Sequence, residues 1–104
     1  MGIIAIACYK ASPGNERKML TAVRKNTPLL ASLDLITARP PILMKSADGT
    51  ILEVFEWVSA LAKRKAHKNQ EVMALWTRMM ELGKNVTLKT VTESGDVFAN
   101  FKPI

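Results

Sequence analysis

Ile42-Leu43-Met44-Lys45-Ser46-Ala47-Asp48-Gly49-Thr50-Ile51-Leu52-Glu53-Val54-Phe55-Glu56-Trp57 is the stretch that decides the fold. Two strand-like runs flank Asp48-Gly49, a strong short-range hairpin signal, so Ile42–Lys45 and Ile51–Trp57 are expected to pair antiparallel. Along the second run Leu52, Val54 and Glu56 project to one side, and Ile51, Glu53, Phe55 and Trp57 to the other. Both sides are largely apolar, whereas a solvated sheet face reads cleanly polar. The sheet therefore needs cover on both faces.

Upstream, Ile3-Ile4-Ala5-Ile6-Ala7-Cys8-Tyr9 is an almost continuous apolar run and reads as a further doubly covered strand, closed by Ser12-Pro13-Gly14. Ser12 is expected to cap a helix with Pro13 at its first position. Leu20 and Val23 lie on one side of that helix, and Arg17, Lys18, Thr21, Arg24 and Lys25 on the rest. Pro28 breaks or kinks it near Asn26, and Leu29, Leu30 and Leu33 turn onto the core. Downstream, Ser59 caps a helical stretch through Ala66. Asn69 caps a second one whose stripe is Val72, Leu75, Trp76, Met79 and Leu82, with Gly83 as its C-terminal stop. Residues 86–91 read as a fourth strand. The tail, with Phe98 and Phe101, reads as an extended segment packed across another surface.

The order β-α-β-β-α-β describes a ferredoxin-like α+β domain over residues 1–104, an antiparallel sheet with both helices on one face. Cover for the other face is expected from a second copy, giving a homodimer.

At 104 residues, 48% hydrophobic and 23% charged, the chain is neither a disordered tail nor a low-complexity linker. A lone Cys8 forms no internal disulfide, and with a lone His67 it completes no zinc site. Residues 3–8 lack a charged n-region and are too short for a signal core, and no run approaches a membrane span, so a cytoplasmic location is expected. The formal charge of +6 raises an anionic partner. However, the basic residues gather on two predicted helix faces, around Arg17 to Lys25 and Lys63 to Lys68, with no interleaved aromatics for base stacking. Nucleic acid is not expected as a partner. Phosphate loop, nucleophile elbow, metal cluster and dinucleotide fingerprint are all missing from the sequence, so neither a metal nor a cofactor is expected.

Four segments resemble the dimeric α+β barrel superfamily, which includes the antibiotic-biosynthesis monooxygenases. They are Asp34-Leu35-Ile36-Thr37-Ala38-Arg39-Pro40-Pro41, Glu53-Val54-Phe55-Glu56-Trp57, Ala66-His67 with Glu71-Val72-Met73-Ala74-Leu75-Trp76-Thr77-Arg78-Met79, and Phe98-Ala99-Asn100-Phe101-Lys102-Pro103. The resemblance, which spans most of the chain, implies two ferredoxin-like subunits paired sheet to sheet, with a pocket in each between sheet and helices. The superfamily holds cofactor-free oxygenases, haem-degrading enzymes, isomerases of aromatic lactones and members without activity, so the fold alone leaves function open. The haem-degrading branch places a polar Asn in its first strand, where this chain has Ile6, Ala7, Cys8 and Tyr9.

Imidazole is the side chain that ordinarily titrates near neutrality, which makes His67 the first candidate for general acid or base work. Its plainer reading is a helix-surface histidine beside Lys65 and Lys68. Glu56 is the second candidate, as a proton acceptor raised by burial if it faces the pocket without a cation. The plainer reading of Glu53 and Glu56 is an ion pair with Arg39, Arg78 or a lysine of the other subunit. Tyr9, Phe55, Trp57 and Trp76 can wall a pocket for a flat substrate, with Arg39 as a polar contact, or can be ordinary core. Two functional readings follow. One is a cofactor-independent, monooxygenase-like enzyme acting on an aromatic or polyketide-like compound; the other is a non-catalytic dimeric ligand-binding or structural protein of the same fold.

Overall fold

A computed structural model describes residues 2–104. Its strands are β1 (Ile3–Ala11), β2 (Ile42–Lys45), β3 (Ile51–Trp57), β4 (Gly83–Val86) and β5 (Lys102–Pro103). Its helices are α1 (Glu16–Val23), α2 (Asn26–Ser32), α3 (Ala60–Ala66) and α4 (Gln70–Leu82). The strands form one antiparallel sheet in the order β4-β1-β3-β2-β5. This is a ferredoxin-like α+β fold with a short fifth strand added.

The hairpin closes with Lys45 opposite Ile51, and Gly49 takes a φ of 92°, a left-handed conformation that a residue without Cβ adopts freely. β1 lies between β3 and β4, with Ile3 opposite Trp57 on β3 and Cys8 opposite Val86 on β4. Its side chains alternate. Ala5, Ala7 and Tyr9 face the helices with Glu53, Phe55 and Trp57, while Ile4, Ile6 and Cys8 face the opposite side with Leu52, Val54 and Glu56.

On the helix side, Tyr9, Met19, Val23, Ile51, Met79 and Leu82 form one core and Leu30, Leu35, Phe55, Trp57 and Val72 another. Ser59 and Asn69 cap α3 and α4, their side chains accepting from the Ala62 and Val72 amides at 3.1 and 3.0 Å. The polypeptide breaks between α1 and α2, which leaves Pro28 in the first turn of α2, where a missing amide proton costs nothing.

Three expectations are corrected. Ser12 does not cap a helix: its carbonyl accepts from Asn15 in a turn, and α1 starts only at Glu16, preceded by Asn15 with no side-chain cap. Gly83 does not merely stop α4; it opens β4, so the fourth strand lies at residues 83–86 rather than 86–91, and Leu88–Thr90 and Thr92–Gly95 form two short 3₁₀ turns. The physical reason lies at Gly83, where a Cβ would overlap the Lys10 carbonyl oxygen and approach the Ala11 Cα to 2.8 Å, so β4 lies against β1 more closely than a side chain permits. The tail divides its two aromatics. Phe101 packs with Cys8, Leu52 and Val91 on the far face of the sheet, whereas Phe98 is 83% exposed.

Only part of that far face is covered. Val91 and Phe101 close the half around Cys8 and Leu52, and leave Ile4, Ile6 and Ile42 at 57%, 48% and 55% exposure. No helix among the described residues is long and apolar enough to cross a membrane.

Candidate functional site

Between the inner sheet face and α4 lies a cavity of about 440 Å³. Its origin is legible in β1: Ala5 and Ala7 point toward the helices where larger side chains would fill the space, and both line it. The walls are aromatic, with Phe55 and Trp57 from β3, Tyr9 from β1 and Trp76 from α4. Phe55 and Trp57 stack edge to face with centroids 5.1 Å apart. At the junction of α3 and α4, exposed His67 meets Trp76 edge to face at 4.9 Å. Met73 and Met80, both exposed, supply flexible thioethers at the rim.

Behind this wall is a buried polar network. Trp76 Nε1 donates to Asn26 Oδ1 at 2.9 Å, which fixes the amide so that Asn26 Nδ2 donates to Glu53 Oε1 at 3.0 Å. The Tyr9 hydroxyl donates to the same Oε1 at 2.9 Å. Glu53 is wholly inaccessible to solvent, and its second oxygen, Oε2, is buried without a partner. A buried carboxylate is costly as an anion. Burial accordingly pushes Glu53 up to about 6, against the opposing pull of the bonds from Tyr9 and Asn26. The Tyr9 phenol is pushed far above its ordinary range, first by burial and then by the adjoining carboxylate, so it stays a neutral donor.

Of the residues expected at a site, the fold brings together Tyr9, Phe55, Trp57, His67 and Trp76. Glu56 and Arg39 are placed elsewhere. Glu56 lies on the far face of the sheet, where its Oε1 accepts from the Thr37 hydroxyl at 2.8 Å and from Arg39 Nε at 3.0 Å. The Thr37 bond, then Arg39, hold its carboxyl below the usual range, so of the two readings of Glu56 the ion pair with Arg39 is the one present and the proton-acceptor reading is corrected, as is Arg39 from substrate contact to the cation that holds Glu56. The carboxylate on the cavity side is Glu53. The signal for it was the period-2 alternation of β3, which puts Glu53 on the face of Phe55 and Trp57. Asn26 carried no signal in the sequence.

A second cavity, of about 500 Å³, lies between the hairpin turn and the start of α1. Its charged lining, Lys10, Arg17 and Lys45 with Glu16 and Asp48, is exposed and mixed in sign, and Lys10 already sits 3.9 Å from Asp48. The remaining basic residues of α1 and α3 are likewise exposed. Cys8 is buried on the far face, and burial pushes its thiol up, which makes it a poor nucleophile.

No protein-family model matches the chain, and no curated protein matches it. A solved structure of a NIPSNAP family protein from Agrobacterium tumefaciens strain C58 is similar, with 18% identity and a TM-score of 0.57 over 83% of this chain and 90% of that one. At that identity the likeness concerns the fold, and the ferredoxin-like α+β arrangement is what the two chains share.

Proposed function

We propose that this chain is a small-molecule enzyme of the monooxygenase-like kind, needing no cofactor, that takes a flat aromatic or polyketide-like compound into the cavity between β1, β3 and α4. The observation that carries the reading is a carboxylate buried directly behind an aromatic-walled cavity with one oxygen unpartnered, where burial poises it for proton exchange near pH 6. Removing a proton from a hydroxylated aromatic ring makes the compound electron-rich enough to reduce dioxygen itself. One oxygen atom then enters the ring, turning a CH₂ of the keto tautomer into a carbonyl, and the other leaves as water. His67, at the cavity mouth against Trp76, is the second group able to exchange a proton there.

The test combines native mass spectrometry of the purified protein with oxygen uptake in the presence of a hydroxyanthrone. A retained flat compound together with uptake that forms one quinone per dioxygen supports the enzyme. Retention with no uptake replaces it by the ligand-binding reading, and neither retention nor uptake sinks both.

We propose in addition that a second copy of the chain covers the open half of the far sheet face, as in a dimeric α+β barrel. Ile4, Ile6 and Ile42 form a contiguous apolar surface beside the half that the chain's own tail closes, and such a patch can meet its own copy about a two-fold axis without any charge to match. Sedimentation is expected to give a dimer, and Ile6→Lys a monomer. A wild-type monomer at micromolar concentration overturns the pairing.

A further inference from the structure

We infer that Tyr9 and Glu53 form a proton relay for the cavity: a hydroxylated aromatic ligand gives its proton to the Tyr9 oxygen while the Tyr9 proton passes to Glu53. This deepens the enzyme reading above and rests on it. Tyr9 and Asn26 line the cavity and Glu53 does not, so a ligand reaches the carboxylate only through one of those two. The Asn26 amide N–H is far too weak an acid to give a proton to a carboxylate. Its carbonyl is taken by Trp76 and its amino group by Glu53, which leaves it to hold the carboxylate in place. The Tyr9 hydroxyl is different. Its own hydrogen points at Glu53 Oε1, which leaves its lone pairs free to accept from a donor in the cavity.

The step balances without a further reactant. The ligand O–H bond breaks, an O–H bond forms on Tyr9 as the old one breaks, and an O–H bond forms on Glu53; the ligand is left as the anion and Glu53 as the neutral acid. Neutralisation suits the site, because the charge moves off a fully buried carboxylate onto a delocalised ring. Nothing else competes for the proton inside the network. Glu53 has no cationic partner: the ion pairs among the described residues are Lys10–Asp48, Arg39–Glu56 and Arg78–Glu81. The groups that meet its carboxylate are the phenol from β1 and the amide from α2, with Trp76 of α4 beyond the amide, and His67 is the one other titratable group on the cavity wall. The relay specifies a ligand class: flat, apolar, and bearing a weakly acidic hydroxyl. Tyr9 is the residue that touches it, and Glu53 acts through Tyr9.

The experiment measures binding of 2-naphthol and of 2-methoxynaphthalene, which has the same ring but no proton to give, at about pH 5 and about pH 8. Ionised Glu53 draws on the Tyr9 hydrogen and strengthens the hydroxyl's acceptance of the naphthol proton, so naphthol is expected to bind on the order of tenfold tighter at the higher pH. Methoxynaphthalene is expected to show no such change. Glu53→Gln, which keeps the shape and an acceptor for Tyr9, should flatten the naphthol dependence, and so should Tyr9→Phe, which serves if the first variant fails to fold. An equal slope for the two compounds overturns the relay, as does a slope that survives both variants and vanishes in His67→Ala. Binding of neither compound overturns the cavity reading itself and removes the relay with it.

Discussion

The Tyr9 hydroxyl and the Glu53 carboxylate meet at 2.9 Å across β1 and β3, inside a core where the carboxylate has no cation and one of its oxygens has no partner at all. Folding thus tolerates an expensive group at the back of the cavity. Such a cost is commonly found where a fold serves chemistry rather than packing.

Stability should record that cost as a function of pH. Folded Glu53 holds its proton up to about 6, against an ordinary value of 4.5. Between these values the folded state binds the extra proton, so stability is lost as pH rises through the window and stays lost above it. The loss is on the order of 2 kcal/mol. Asp48 runs the other way: Ser46 and then Thr50 hold it down to about 2 from 3.8, so it stabilises above that lower window and loses its contribution as pH falls through it. The windows do not overlap. Thermal unfolding from about pH 4.5 to 7.5 should show the decline in the wild type and a flat profile in Glu53→Gln; equal profiles would mean that Glu53 titrates normally.

Local signals read well in this sequence and long-range ones did not. Asp48-Gly49 placed the hairpin with its strands at the right residues, and Ser59 and Asn69 marked both helix starts, because each signal acts within a few residues of its source. The Ser12-Pro13-Gly14 segment failed, since the same residues suit a cap and a turn, and the turn won. β-branched residues at 86–91 suggested a strand, yet pairing was set at Gly83, where the neighbouring backbone demands a missing side chain. The Tyr9–Glu53 and Asn26–Glu53 bonds join residues 44 and 27 apart, which no local pattern encodes. Which of Glu53 and Glu56 faces the cavity follows from alternation along β3, which puts Phe55 and Trp57, the expected wall, on the face of Glu53.

Gly83→Ala tests the close approach of β4 to β1. The added methyl meets the Lys10 carbonyl and the Ala11 Cα, both main-chain atoms with little freedom to retreat. Overpacking of this kind costs about 1–3 kcal/mol, and chemical denaturation should find a loss in that range. Gly95→Ala, with nothing within 4 Å of the new Cβ, is the control and should change little.

Removing the residues after Asp96 should lower the melting temperature. The truncation takes Phe101 off Cys8 and Leu52, and it strips β5 and the Ile104 amide bond to Leu43 from the edge of β2. Half-burial of one phenylalanine and a few edge hydrogen bonds amount to about 2 kcal/mol or more. An unchanged melting temperature would make the tail a passenger.

His67→Ala separates the mouth of the cavity from its back. His67 is exposed at the end of α3 and touches Trp76 edge to face, so its removal opens no core void, and fold and melting temperature should be kept. Loss of the ring-edge contact leaves Trp76 anchored through Asn26, which predicts weaker binding of a flat aromatic by roughly two- to tenfold. Turnover distinguishes the two proton-exchanging groups. If His67 is the general base, the variant loses about a hundredfold or more in rate with any substrate found. If the relay through Tyr9 carries the proton, the rate falls only as far as binding does, and Tyr9→Phe takes the large loss instead. Measuring both variants under saturating and limiting substrate resolves the choice, because a binding defect disappears at saturation while a lost proton acceptor does not.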